Sequence, residues 1–156
     1  MKRMVCFIAI VVFSASCMRP ALIIPDNLEI QLRGRTSYRH YVKLVNQAMA
    51  KDTIALRELL MMDDMYDAAS YEHGDILIQL LENLGDEHYG KVLSSVPTKQ
   101  KVVSLQSYFW AGMDIRKPEY KIRIDKEYPI TFKELEFNEK EKSVFISICG
   151  CIDSLN

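Results

Sequence analysis

Between residues 36 and 112 apolar side chains recur at spacings of three and four, and residues suited to helix ends punctuate them. That rhythm commits about half the chain to amphipathic helices, because positions i, i+3 and i+4 share one helix face. Thr36 or Ser37 is placed to cap a first helix running to about Ala50, with Tyr38, Tyr41, Val42, Val45 and Met49 on one face. Lys51 and Asp52 break the pattern, and Asp52 caps a second helix carrying Ile54, Leu56, Leu59 and Leu60. So short a link predicts a helical hairpin. Residues 61–71 read as a loop or irregular helix. A third helix starts between Tyr71 and Gly74, carries Ile76, Leu77, Leu80, Leu81 and Leu84, and ends at Gly85 in a left-handed cap. Asp86 caps a short fourth helix through Leu93. Pro97 opens a fifth, with Val102, Val103, Leu105, Phe109 and Trp110, and Gly112 closes it.

Outside this block the period changes from three or four to two. Leu28, Ile30 and Leu32 alternate with polar residues, as do Tyr120, Ile122 and Ile124, and then Ile130 and Phe132. Val144, Phe145, Ile146 and Ile148 form a denser apolar run. Alternation of this kind is the signature of half-buried strands. Pro129 would then need a strand start or an edge. The expected fold is α+β: about five helices over residues 36–112, packed on a small antiparallel sheet of three to four strands formed mainly by the C-terminal part. The alternative is a mostly α-helical bundle with a small β-hairpin.

Lys2 and Arg3 precede an unbroken apolar run over residues 4–13, and Ser14, Ala15 and Ser16 follow. A positive start, a short apolar stretch and a small-residue exit are the parts of a secretory signal. The run is too short for a bilayer-spanning helix, which needs about 20 residues. The tetrad Ser14-Ala15-Ser16-Cys17 resembles the lipobox of bacterial lipoproteins, with Ser14 where that family usually carries Leu. The resemblance implies cleavage before Cys17, a diacylglycerol on its sulfur and a place in the bacterial cell envelope. Met18 stands where an Asp would favour inner-membrane retention, so the resemblance points to the outer membrane. Residues 1–16 are then the signal peptide, 17–27 a lipidated tether, and 28–156 a single globular domain. Two or more acyl chains anchor stably where one does not.

The 20 Lys and Arg nearly balance the 21 Asp and Glu. No basic excess points to nucleic acid, and no polybasic run points to electrostatic membrane binding. The expected membrane contact is the lipid. Cys149 and Cys151 read as small residues of a final strand, because a disulfide between alternate strand residues is strained.

Motifs for catalysis are missing from the sequence. It has no Gly-x-Ser-x-Gly elbow, and its six glycines form no phosphate-binding loop. No cofactor is expected. Residues 63–88 hold the densest set of carboxylates and imidazoles, the types that ligate transition metals. Their spacing matches no metal motif, and Glu72, Asp75, Asp86 and Glu87 suit first helical turns, where negative charge favours the helix dipole. No metal site is assigned.

Asp63, Asp64, Met65, Tyr66, Asp67, Tyr71 and His73 form the candidate binding segment. Methionine adapts to a partner surface, tyrosine adds area with a polar tip, and the aspartates select a basic partner. The leading expectation is a non-enzymatic, lipid-anchored module that binds a protein partner in the envelope. One alternative is a small hydrolase or metal-binding protein using His73 as a general base beside carboxylates. Another is a small-ligand carrier.

Overall fold

The computed structural model describes residues 22–25, 28–32, 37–63, 65–138, 140–141 and 145–146. Cys17, Asp64, Cys149, Cys151 and the signal residues lie outside them. Among the described residues there is no strand; the protein is helical. This corrects the α+β expectation. The bundle alternative comes closer, although its hairpin is also missing from the described residues.

Two expected helices form where their capping residues stand. Helix α2 (Tyr38–Met49) is capped by Ser37, whose Oγ accepts the His40 N–H at 3.1 Å. Helix α3 (Thr53–Leu60) is capped by Asp52, which accepts the N–H groups of Ile54 and Ala55 at 2.9 and 3.1 Å. Between them Lys51 takes a positive φ of 69°, which turns the chain back so that α2 and α3 pack together.

Helix α4 (Ala68–Leu84) buries nine of its 17 residues. A helix apolar on most of its sides belongs at the centre of a domain. Ile76, Leu77, Ile78, Leu80 and Leu81 are fully buried, and each contributes about 2 kcal/mol of apolar burial. Helix α4 starts earlier than expected, at Ala68. Gly85 follows it with φ 80° and ψ 159°, outside the left-handed helical region, and leads directly into α5 (Asp86–Ser94).

Beyond Pro97 a short helix, α6 (Thr98–Gln100), passes into a π-helical turn (Lys101–Leu105) and then α7 (Gln106–Ile115). Gly112 does not end this helix. It faces Gly74 where α7 crosses α4. A Cβ on Gly74 would collide with the Tyr108 carbonyl oxygen and lie 2.8 Å from the Gly112 nitrogen. A Cβ on Gly112 would overlap the backbone of Gly74 and Asp75. The two helices touch backbone to backbone, which only glycine permits at both positions.

The segments expected as strands are short helices. Leu28–Gln31 is α1, Pro118–Tyr120 a 3-10 turn, Ile124–Glu127 α8 and Pro129–Glu134 α9; Phe145 and Ile146 are helical too. Leu28 and Leu32 are buried whereas Ile30 between them is 64 % exposed. Residues four apart share a helix face, whereas a strand would have put all three on one side. Over four to six residues the two periods cannot be told apart. Tertiary bonds decide: the Asp86 carboxylate accepts the N–H groups of Ile130 and Thr131, both at 2.8 Å, and caps α9 from another helix. Pro129 occupies the first position of α9, where no N–H is needed.

Candidate functional site

The residues expected to form one binding segment are divided between interior and surface. His73 is fully buried on α4. Its Nδ1 lies 2.7 Å from the Tyr41 hydroxyl, and its ring meets Tyr108 and Tyr41 edge-on at centroid distances of 5.0 and 5.7 Å. Burial lowers its pKa to about 4, with the Leu59 backbone acting weakly in the opposite direction. Burial also raises the Tyr41 phenol far above its ordinary value. Both groups are therefore neutral at pH 7. Either group can donate in this bond: the phenol to an unprotonated Nδ1, or Nδ1–H to the phenol oxygen. The His73 Nε2 and the Tyr89 hydroxyl are buried without a hydrogen-bond partner among the described residues.

Met65 is buried, and its backbone is held by Tyr108: the Met65 N–H donates to the Tyr108 hydroxyl at 3.2 Å. Tyr108 thus touches His73 through its ring and Met65 through its hydroxyl. Asp63, Tyr66 and Asp67 face solvent, with Tyr66 61 % exposed. Asp67 stands before α4 with a positive φ of 48° and makes no side-chain cap bond. Asp63, Tyr66, Asp67 and His73 line none of the concavities described below.

Tyr71 does line one. A groove of about 670 Å³ runs between the start of α4, the outer side of α7 and the C-terminal segment. Its walls carry Tyr71, Val102, Trp110, Phe137 and Phe145, with Lys140 at the edge. Phe137 and Phe145 stack with centroids 4.7 Å apart, and Phe132 packs behind them. Beside the groove the outer surface is apolar: Val103 is 64 %, Val102 45 % and Trp110 39 % exposed.

Val102, Val103 and Trp110 are among the apolar residues that the sequence assigns to the fifth helix. The buried residues of this stretch are Lys101, Ser104, Leu105, Gln106, Tyr108, Phe109, Ala111, Gly112 and Met113. The lysine, serine, glutamine and glycine among them disguise the buried side. Lys101 is buried because its Nζ reaches Glu134 and Glu136 at 3.1 and 3.3 Å. The π-helical turn inserts extra backbone at this point, and such turns recur at functional sites.

Two other concavities flank the body. One of about 850 Å³, between α3 and α5, holds Arg57, Glu58, His88 and Lys91. The other, of about 930 Å³, lies at the C-terminal end of α4. There Arg116 forks onto Glu82 (2.8 and 3.0 Å) and bonds Asp75 at 2.6 Å. Burial opposes the guanidinium charge, but Glu82 and Asp75 more than offset this and raise its pKa. Among the described residues no three His, Cys, Asp or Glu side chains gather as a metal site, and no helix is long and apolar enough to cross a membrane. The chain matches no protein family, no curated protein and no solved structure.

Proposed function

We propose that this chain is a lipid-anchored cell-envelope protein whose helical body binds a protein partner through the groove between Tyr71 and Trp110. The observation that carries partner binding is the exposure of Val102, Val103 and Trp110 beside a groove walled by aromatic rings. Aromatic and aliphatic side chains grouped on open surface mark the cores of protein interfaces. The resemblance of residues 14–17 to a lipobox supports the anchor. A hydrolytic role for His73 has less support, because its ring is enclosed and Nδ1 is already bonded.

A photo-crosslinking residue placed at Val103 in producing cells should give one discrete adduct, lost on Trp110→Ala. The same residue placed at Lys126, an exposed position of α8, should give none. Equal adduct patterns from both positions, or no adduct from Val103, would remove the groove from the account. Separately, Cys17→Ser should move the protein from the membrane fraction to the soluble fraction.

A further inference from the structure

Residues 22–25 are not a free leash in front of the body; they are docked on it. The Gln79 side-chain amide binds both backbone groups of Ile23: Oε1 accepts its N–H at 3.0 Å and Nε2 donates to its carbonyl at 3.3 Å. Gln79 is itself held by Asp75, which accepts from Nε2 at 2.7 Å. Leu22 and Ile24 pack against the core. Only five residue steps separate Cys17 from Leu22, so the chain between them spans at most about 18 Å. Wherever the Cys17 sulfur is held, this end of α4 is held near it.

The surface around that attachment has the composition of a membrane interface. Ile23 is 72 %, Tyr120 64 % and Ile115 44 % exposed, and all three line the same concavity as Lys117 and Lys121. Tyrosine rings settle at headgroup level, and lysine stems lie along apolar surface while their ammonium groups reach phosphate. The charges nearly cancel. Asp75 and Glu82 are taken up by Arg116 beneath, and Glu119 offsets one of the two lysines.

We propose that this face, comprising Ile23, Ile115, Lys117, Tyr120 and Lys121, rests on the phospholipid surface that holds the Cys17 lipid. The docked strap then fixes which side of the body meets the bilayer. This orientation rests on the lipid-anchor reading. It has a consequence for the partner groove: Tyr71 sits near the first turns of α4, and Gln79 and Glu82 near its last. About 15 Å of helix therefore separates the groove from the lipid-facing end. Contact through apolar and tyrosine groups, with little net charge, is insensitive to salt and to anionic lipid.

A single reporter tests this. Trp110 is the chain's one tryptophan, so Trp110→Phe combined with Tyr120→Trp, or with Lys99→Trp as the distant control, places one indole at a chosen site. Lipidated protein from membranes is reconstituted in phosphatidylcholine vesicles containing brominated phospholipid. Quenching at position 120 should exceed that at position 99 by about threefold, as for a group lying 5–10 Å into the interface. It should persist in high salt. Equal quenching at the two positions, or none at 120, would overturn the proposal and leave that face to another occupant. If mass measurement finds no acyl group on Cys17, the anchor reading fails by itself. The orientation is then tested on the chain from residue 17, carrying Cys149→Ser and Cys151→Ser and coupled at Cys17 to a maleimide lipid. The same two outcomes decide it.

Discussion

The crossing of α4 and α7 and the segment from Arg116 to Phe137 are held together by opposite means. At the crossing, two glycines remove side chains so that backbones touch. In the C-terminal segment, short helices that could not persist alone are fixed by polar side chains from distant elements. Asp86 caps α9, Gln106 donates to the Leu135 carbonyl at 2.8 Å, Lys101 binds Glu134 and Glu136, and Asp75 and Glu82 of α4 hold Arg116. One region depends on the absence of atoms, the other on single atoms in place. The first should fail completely when altered; the second should loosen one bond at a time.

The largest effect should come at the crossing. Gly74→Ala or Gly112→Ala puts a methyl group into backbone, which unlike a side chain cannot turn aside, and should cost about 3 kcal/mol or more in denaturant unfolding. Gly85→Ala meets no atom within 4 Å and should cost only about 1 kcal/mol through its positive φ. Equal losses at Gly74 and Gly85 would contradict the close approach.

Acid should weaken the interior next. His73 titrates near 6.5 when unfolded and at about 4 when folded. Between those values the unfolded chain holds a proton that the folded chain refuses, so stability falls as pH falls. The contribution is complete above pH 6.5 and gone below about 4, and amounts to about 3 kcal/mol. His73→Gln should flatten that part of the stability profile; an unchanged slope would assign it to other groups.

In the C-terminal segment the losses should be smaller and local. Arg116→Ala leaves Asp75 and Glu82 without their shared cation and should cost about 2 kcal/mol, discounted because Glu82 is a third exposed. Asp86→Ala removes the cap of α9 and should cost about 1 kcal/mol, with amide exchange rising at Ile130 and Thr131 before anywhere else. Exchange that rises uniformly would mean the segment is not held bond by bond. Trp110 is 39 % exposed, so Trp110→Ala should cost about 1 kcal/mol through its covered part and remove the Val103 crosslink.

The same contrast separates what could be read from the sequence from what could not. Helices α2 and α3 carry their own caps in Ser37 and Asp52, so their positions were legible from local residues. Helix α9 takes its cap from Asp86, far away in the chain, and at four and six residues α8 and α9 show alternation as readily as helical period. Gly112 was read as a helix end because a glycine there is locally unfavourable; inside a helix that same cost signals a close neighbour. In the candidate site, Tyr71 was within reach of sequence reasoning. Trp110 and Val103 were not, because the buried side of the π-helical turn and α7 contains Lys101, Ser104 and Gly112 and does not look apolar. His73 stood out as a titratable residue among aromatics, but only the packing of Tyr41 and Tyr108 around it shows that it is enclosed.

The proposed lipid anchor would determine where the body acts and which partners it can meet, and it can be measured directly. Intact mass and amino-terminal peptide analysis of protein extracted from native membranes should find Cys17 as the first residue with diacylglycerol on its sulfur. A chain that retains Met1, or a processed amino terminus without fatty acid, would contradict the account at its root.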